Sequence, residues 1–218
     1  MYLWLYSFDR SMTLVAIKTP RRPVTRPRRR VPDALIYEIM DGKPIYRRGY
    51  RDVLSGKKTI GEIMGSSSLQ AIIVYYLTGF ISQFIDEDAY NVLTNEAGLH
   101  LDHRTNLAND IAIFEQSVLP GSLISKKYAD VPPKIAVEVD IEADTDAMTE
   151  SGYIYKKTRK LFAFGVQKLI WVLTDAQVVI VATPERIETV DWNKDVEIMD
   201  GHRFNIGAYL VRKGITVK

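Results

Sequence analysis

Hydrophobic residues recur at helical spacing in two long stretches of the chain. Between residues 69 and 85 the apolar positions lie three and four residues apart, which predicts a core helix capped by one of the serines at 66–68. Residues 153–164 show the same period and stop at Gly165, a residue that commonly ends helices. A shorter helix is predicted over residues 33–40, with an aspartate as its N-cap and an Asp-Gly pair after it.

Short apolar runs between turn residues predict strands through the middle of the chain. The run at 135–139 is almost wholly apolar, which is typical of a strand buried on both faces. The predicted strands are residues 91–94, 98–103, 111–114, 135–139, 169–173 and 177–183, with at least one more near the end of the chain. This order of helices and strands predicts an α/β domain with a mixed sheet, and not a regular strand–helix–strand array.

The start of the chain differs in composition from the rest. Residues 18–30 contain seven Lys and Arg and no acid, and four prolines between positions 20 and 32 prevent a continuous helix. The whole chain has 29 basic and 27 acidic residues, so without those seven cations it keeps 22 basic against 27 acidic. We therefore expect an extended basic arm over residues 1–31 and a folded domain over 32–218. The arm either contacts phosphates or is only a solubilising tail, and the sequence leaves both alternatives open.

Composition also excludes several classes of site. The absence of cysteine excludes disulfides, thiolate zinc sites, iron–sulfur clusters and cysteine nucleophiles, and it suits a reducing cytoplasm, where we expect the protein. Residues 1–8 are apolar, but an acid follows them and no small-residue cleavage site does, so no secretory signal is predicted. The apolar stretch 69–85 has 17 residues with polar interruptions, fewer than the roughly 20 that span a membrane, so no membrane segment is expected.

Two acidic residues in apolar strands are candidates for chemistry. Asp110 opens one apolar run and Glu138 lies inside another. A carboxylate in a buried strand is tolerated when it is paired, protonated or bound to metal. Alternation along the strand puts Ala136, Glu138 and Asp140 on one face, where Asp140 is a candidate extra ligand. If Asp110 lies on a neighbouring strand, the carboxylates converge and Mg²⁺ or Mn²⁺ is the natural counter-ion. The alternative is that these acids face water at strand ends.

The predicted helix 153–164 adds cations next to this strand. Lys157 lies beside the apolar stripe of the helix, so it can reach toward the carboxylates. Lys156, Arg159 and Lys160 fit a solvated basic face. Lys157 fits such a face less well.

Four motifs, in order along the chain, resemble one known family. They are residues 37–42 (YEIMDG), 109–114 (NDIAIF), 136–139 (AVEV), and Lys157 followed by 165–175 (GVQKLIWVLTD). Together they resemble the Uma-type family of proposed restriction endonucleases, within the PD-(D/E)XK nuclease superfamily, over about residues 33 to 182. Asn109 stands where that family has a proline, which should be harmless because the proline carries no ligand. Asp140 stands where the general pattern of the superfamily has its lysine. In the Uma-type family that lysine comes from the following helix, so the resemblance implies Lys157 as the site lysine, with Lys156 as the second choice.

The resemblance implies a restriction-endonuclease-like core, with a mixed sheet flanked by helices, and a Mg²⁺- or Mn²⁺-dependent endonuclease that hydrolyses DNA phosphodiester bonds. Asp110, Glu138 and the Val139 carbonyl would hold the metal. Lys157 would orient the attacking water and offset developing charge. Glu38, from the first predicted helix, would complete the metal shell. A homodimer is consistent with two cuts in a duplex.

Two other functions remain open from the residues alone. A nuclease-fold protein that has lost cleavage could still bind nucleic acid, or a protein partner, through its basic arm. A structural or partner-binding protein could instead pair its buried acids with lysines and bind no metal.

Overall fold

The computed structural model of the protein describes residues 31–217. The predicted basic arm over residues 1–31 lies outside this part of the chain except for its last residue. No helix within residues 31–217 has the length and apolar character needed to cross a membrane.

Ten strands and four α-helices are described between residues 31 and 217. The strands are β1 Ile36–Met40, β2 Lys43–Tyr46, β3 Tyr90–Asp102, β4 Thr105–Glu115, β5 Ile135–Val139, β6 Lys168–Leu173, β7 Val178–Ala182, β8 Ile187–Asp191, β9 Val196–Met199 and β10 His202–Phe204. The helices are α1 Tyr50–Leu54, α2 Ser68–Ile81, α3 Glu150–Phe164 and α4 Ile206–Arg212. Short 3-10 helices cover Asp33–Leu35, Gly61–Ile63 and Gly121–Leu123.

Eight of these strands form one mixed sheet, which confirms the predicted α/β class. The strand order is β2-β1-β4-β5-β6-β7-β8, with β3 also paired to β4, and β9 and β10 form a separate hairpin. Strands β5 and β6 are parallel and the other pairs are antiparallel.

Strand β4 changes partners along one of its edges. Strand β3 pairs with it along most of its length. On the opposite edge, β1 pairs with β4 at Asn106 and β5 pairs with it at residues 111–113. Along this edge, residues 107–110 of β4 therefore come after the pairing with β1 and before the pairing with β5.

The strand alternation of β5 divides the core into two layers, as predicted. Ile135, Val137 and Val139 pack in the layer that contains α2, while Ala136 packs in the layer that contains α3. The α2 layer includes Ile73, Leu77, Ile81, Ile111, Ile113, Ile170 and Val172. The α3 layer includes Tyr153, Leu161, Ala112, Phe114 and Trp171. Burial of each Ile, Val, Leu or Phe side chain in these layers stabilises the fold by about 1.5–3 kcal/mol.

Both long helices begin at side-chain caps. The hydroxyl of Ser67 accepts the backbone N–H of Gln70 at 3.0 Å and starts α2, so one of the three predicted serines is the cap. Thr149 caps α3 by accepting the N–H of Gly152 at 3.0 Å. Helix α3 ends at Gly165, whose φ of 122° suits glycine, as predicted. Helix α2 ends at Ile81, four residues before the predicted end.

The predicted helix over residues 33–40 is wrong. Its first residues form a 3-10 turn and the rest form β1, which pairs with β2 and β4. The Asp41-Gly42 pair, taken as a helix stop, is the tight turn of a hairpin, with φ of 56° and 74°. Residues 36–40 contain two isoleucines and a tyrosine, which favour a pleated, half-buried surface once partner strands are present. Glu38 therefore lies on a strand.

Two predicted strands, 91–94 and 98–103, are one long strand in the structure. Strand β3 runs through both, and the turn residues between them form a bulge at Asn95 and Glu96, with φ of 65° and 57°. Residues 50–54 form the short helix α1.

Candidate active site

The candidate site lies where the partner strand along one edge of β4 changes from β1 to β5. The regular pairing of β4 with β5 begins at Ile111 and Val137, so β4 supplies no backbone partner for Val139. Two side chains form hydrogen bonds with the backbone of Val139 instead. The N–H of Val139 donates to Oδ2 of Asp110 at 2.7 Å, and its carbonyl accepts from Nε2 of Gln70 at 2.9 Å. The two strands are thus held together by side chains at this point, beside a pocket.

Lys157 lies at the centre of a buried polar cluster. It is 0% exposed and projects from the same face of α3 as Tyr153 and Leu161. Its Nζ is 2.7 Å from Oε1 of Glu38, 2.6 Å from Oε1 of Glu138 and 2.7 Å from the Ala108 carbonyl. An ammonium has three N–H donors, so these three acceptors use all of them.

Of the two candidate lysines, only Lys157 reaches the cluster. Lys156 is 38% exposed, and its Nζ lies 3.2 Å from Oδ2 of Asp41, near the hairpin turn after β1. Lys160 also pairs with Asp41. These two lysines form the solvated side of α3, as predicted for them.

Glu38 is held from three directions, although it lies on a strand and not on the predicted helix. Besides Lys157, its Oε1 accepts the backbone N–H of Ala108 at 3.0 Å. Its Oε2 accepts the hydroxyl of Tyr153 at 2.6 Å. Glu38 thus joins β1, β4 and α3, and both of its carboxylate oxygens already have donors.

Glu138 has a neighbour that the sequence motifs did not suggest. The side-chain N–H of Asn109 donates to Oε1 of Glu138, the oxygen that also faces Lys157. The side-chain oxygen of Asn109 is buried and has no hydrogen-bond partner. The asparagine that replaces the family's proline therefore contacts a site carboxylate. Its polar side chain at the entry of a buried strand was the signal available in the sequence.

Burial disfavours the charged form of the two acids next to Val139. It raises the pKa of Asp110 to about 6, although the hydrogen bond from Val139 opposes this shift. Burial also raises the pKa of Glu138 to about 8, and the negative charge of Asp110 adds to the effect while Lys157 opposes it. The carboxyl groups of Glu38 and Glu138 both contact the Lys157 ammonium, whose charge also partly opposes the raised pKa of Asp110.

Lys157 stays charged in this setting. Burial alone would lower its pKa, but the carboxylates of Glu138 and Glu38 raise the pKa above the usual value for lysine. Burial likewise raises the pKa of the Tyr153 phenol, with a further contribution from the charge of Glu38. Tyr153 is therefore a neutral hydrogen-bond donor.

A pocket of about 520 Å³ opens beside Asp110. Gln70 and Arg47 line it together with the acids Glu96 and Glu142. Arg47 is 13% exposed and lies 3.7 Å from Glu96, and its Nε has no hydrogen-bond partner. The pocket thus exposes one site carboxylate, whereas Glu138 and Lys157 are almost wholly shielded from solvent.

The predicted metal ligands are oxygen atoms of the type that Mg²⁺ takes. No group of three or more His, Asp and Glu side chains within residues 31–217 is arranged to hold a metal ion. The predicted set, however, includes a backbone carbonyl, that of Val139, beside the carboxylates of Asp110 and Glu138. Two buried amide oxygens nearby, Oε1 of Gln70 and Oδ1 of Asn109, lack hydrogen-bond donors. Raised carboxyl pKa values and unpartnered oxygens are what a binding site for a divalent cation would show.

Asp140 does not share the face of Glu138. Strand β5 ends at Val139, and Asp140 has a left-handed φ of 62°, so the strand alternation stops before it. Its carboxylate oxygens accept the N–H and the hydroxyl of Thr174, each at 2.7 Å. Asp140 therefore ties the end of β5 to the end of β6 and is not placed as an extra ligand.

Comparison with known proteins gives a likeness in fold. No protein-family model matches the chain, and no curated protein does. A crystal structure of a proposed nuclease belonging to DUF820, from Anabaena variabilis, is similar with a TM-score of 0.55 at 15% sequence identity. The similarity covers 78% of this chain and 87% of that one. The chain therefore has the α/β fold of a nuclease-like protein, with a mixed sheet and flanking helices, while membership of the Uma-type family stays a prediction.

Proposed function

We propose that the protein is a nuclease that uses Mg²⁺ or Mn²⁺ to hydrolyse DNA phosphodiester bonds. The observation that carries the proposal is the meeting of Asp110, on β4, with β5 at the Val139 peptide, next to Glu138 and beside an open pocket. The nuclease-like fold supports the same reaction class, and DNA as the substrate rests on the resemblance of the motifs.

Each residue has a proposed role. Asp110, Glu138 and the Val139 carbonyl would hold the cation, which would lower the pKa of a bound water and neutralise charge on the phosphate. Lys157 holds the carboxylates of Glu38 and Glu138 in place and brings a positive charge to the site. With all its donors engaged, it is suited to this positioning role more than to orienting a water.

Arg47 is the proposed contact for the substrate phosphate. A guanidinium binds phosphate oxygens through several N–H donors in a fixed plane. The Nε of Arg47 is buried at the pocket without a partner, and the same side chain pairs loosely with Glu96. A phosphodiester in the pocket would satisfy this donor.

Removal of divalent cations tests the proposal. In a supercoiled-plasmid assay, we expect nicked and linear products with Mg²⁺ or Mn²⁺ and none with EDTA, because the carboxylates alone cannot activate water. Excess Mn²⁺ should restore cleavage after EDTA. Cleavage that continues in EDTA would contradict the proposed chemistry. Plasmid binding without cleavage under all conditions would favour the inactive nucleic-acid-binding protein.

The raised carboxyl pKa values predict that Mn²⁺ binding strengthens as pH rises. Protons compete with the cation for Asp110 and Glu138, whose pKa values are about 6 and about 8. Below each pKa the affinity should rise by up to about tenfold per pH unit for each proton displaced. Titration calorimetry at pH 5.5, 7 and 8.5 measures this. Asp110→Asn, which cannot release a proton there, should show a shallower dependence, and an affinity independent of pH would contradict the prediction.

A further inference from the structure

Gln70 is a buried residue of the pocket that no motif singled out. It lies in the first turn of α2, where the Ser67 cap accepts its backbone N–H and so determines where its side chain starts. It is 4% exposed, and it lines the same pocket as Asp110.

The hydrogen bond to Val139 fixes the orientation of the Gln70 amide. Nε2 donates to the Val139 carbonyl at 2.9 Å. In the flipped orientation two oxygens would face each other, and neither could donate. The remaining amide atom, Oε1, is therefore an acceptor, and it is buried without a hydrogen-bond partner.

A buried acceptor without a hydrogen-bond partner destabilises a fold unless a donor or a cation binds to it. Around this pocket Asp110, Glu96 and Glu142 are themselves acceptors when ionised. The positively charged side chain of Arg47, which lines the pocket, pairs with Glu96 at 3.7 Å. A divalent cation suits an amide oxygen beside carboxylates, because hard cations take both kinds of oxygen ligand.

We propose that Gln70 is a further ligand of the cation, with its Oε1 joining Asp110 and the Val139 carbonyl. The inference rests on the proposed function. One amide then has two tasks: Nε2 holds the Val139 carbonyl in place, and Oε1 binds the cation. Helix α2 would in this way contribute a ligand to a site otherwise built from β4 and β5.

Two substitutions separate these tasks. Gln70→Met removes both the donor and the oxygen, whereas Gln70→Glu removes the donor but keeps an oxygen and adds charge. Paramagnetic resonance of free Mn²⁺ gives the affinity of each full-length variant. We expect Gln70→Met to bind Mn²⁺ at least about tenfold more weakly than the original protein. We expect Gln70→Glu to bind it at least as tightly as the original protein.

A purely structural Gln70 predicts the opposite order. If only the hydrogen bond to Val139 mattered, Gln70→Glu would be the weaker binder, because its carboxylate would repel the carbonyl. Thr78→Val is the matched control, since Thr78 lines the same pocket two turns further along α2, and its affinity should be unchanged. Thermal melts of each variant without metal show whether it is folded.

The outcomes also separate this inference from the proposed function. If Asp110→Asn binds Mn²⁺ more weakly than the original protein, while folded Gln70→Met binds it normally, the role of Gln70 is overturned and the nuclease proposal stands. Weaker binding by Gln70→Glu than by Gln70→Met overturns it as well. If the original protein binds no Mn²⁺, both proposals are overturned.

Discussion

Replacing Asp110 by asparagine is expected to slow cleavage of supercoiled DNA by at least about a thousandfold, which corresponds to about 4 kcal/mol of transition-state stabilisation. The carbonyl of asparagine can still accept the N–H of Val139, so the junction between β4 and β5 is preserved. What is lost is the negative charge that faces the pocket. Without it the cation has no exposed carboxylate to bind.

The same substitution should have the opposite effect on stability. The pKa of Asp110 is raised to about 6 from an ordinary value of 3.8. The unfolded chain therefore releases this proton at lower pH, and ionised Asp110 destabilises the fold increasingly as pH rises through that window. Asparagine removes this penalty. We expect the melting temperature of Asp110→Asn at pH 8, without metal, to exceed that of the original protein.

Plasmid cleavage with Mn²⁺ and thermal melts measure the two effects together. Asp175→Asn, an exposed acid after β6, is the control, and it should change neither quantity. Glu138→Gln should lose cleavage in the same way, because Mn²⁺ loses its second carboxylate. A folded Asp110→Asn variant that cleaves at the original rate would refute the assigned site.

Replacing Lys157 by methionine is expected to destabilise the fold by about 3–5 kcal/mol at pH 8. The ammonium is wholly buried, and its removal leaves Glu38 and Glu138 without their counter-ion. Methionine fills most of the space, so loss of charge dominates over loss of volume. Lys156→Met, which removes an exposed ion pair with Asp41, should change stability by less than about 1 kcal/mol.

The pH dependence identifies the cause of this loss. Without the ammonium, the buried carboxyl groups take up protons at higher pH than they do in the unfolded chain. The native variant then binds more protons than the unfolded one, so its stability falls as pH rises. The deficit in urea-unfolding free energy should be smaller at pH 5 than at pH 8. Adding Glu138→Gln to Lys157→Met should restore part of it, and a deficit unaffected by pH or by that second change would exclude charge as the cause.

Helices and strands that depend on residues close together in the sequence could be predicted. The run Ile135–Val139 is a strand with the predicted bounds because nearly every residue in it is apolar and turn residues flank it. Gly165 ends α3 because glycine readily adopts the backbone angles that close a helix. The one predicted helix that failed, over residues 33–40, failed because two partner strands from elsewhere in the chain make Ile36–Met40 a strand.

Some residues of the candidate site could likewise be predicted from the sequence, and others could not. A carboxylate inside an apolar strand is conspicuous in the sequence, so Glu138 could be chosen, and Asp110 at the start of another run could be chosen with it. Lys157 was favoured over Lys156 by its place beside an apolar stripe. Gln70 was missed because an amide in the first turn of a helix has no distinctive pattern. Asn109 was missed although its polar side chain stands at the entry of a buried strand.

The sequence by itself determined the α/β class, most of the strands, the start of α2, the end of α3, and the acids and lysine worth testing. Only the tertiary structure decided that the partner strand of β4 changes at residues 107–110. As a result, the N–H and the carbonyl of Val139 form hydrogen bonds with the side chains of Asp110 and Gln70. Periodicity and capping act between residues a few positions apart. The contacts of the site join residues up to 119 positions apart, so they exist only once the strands have paired.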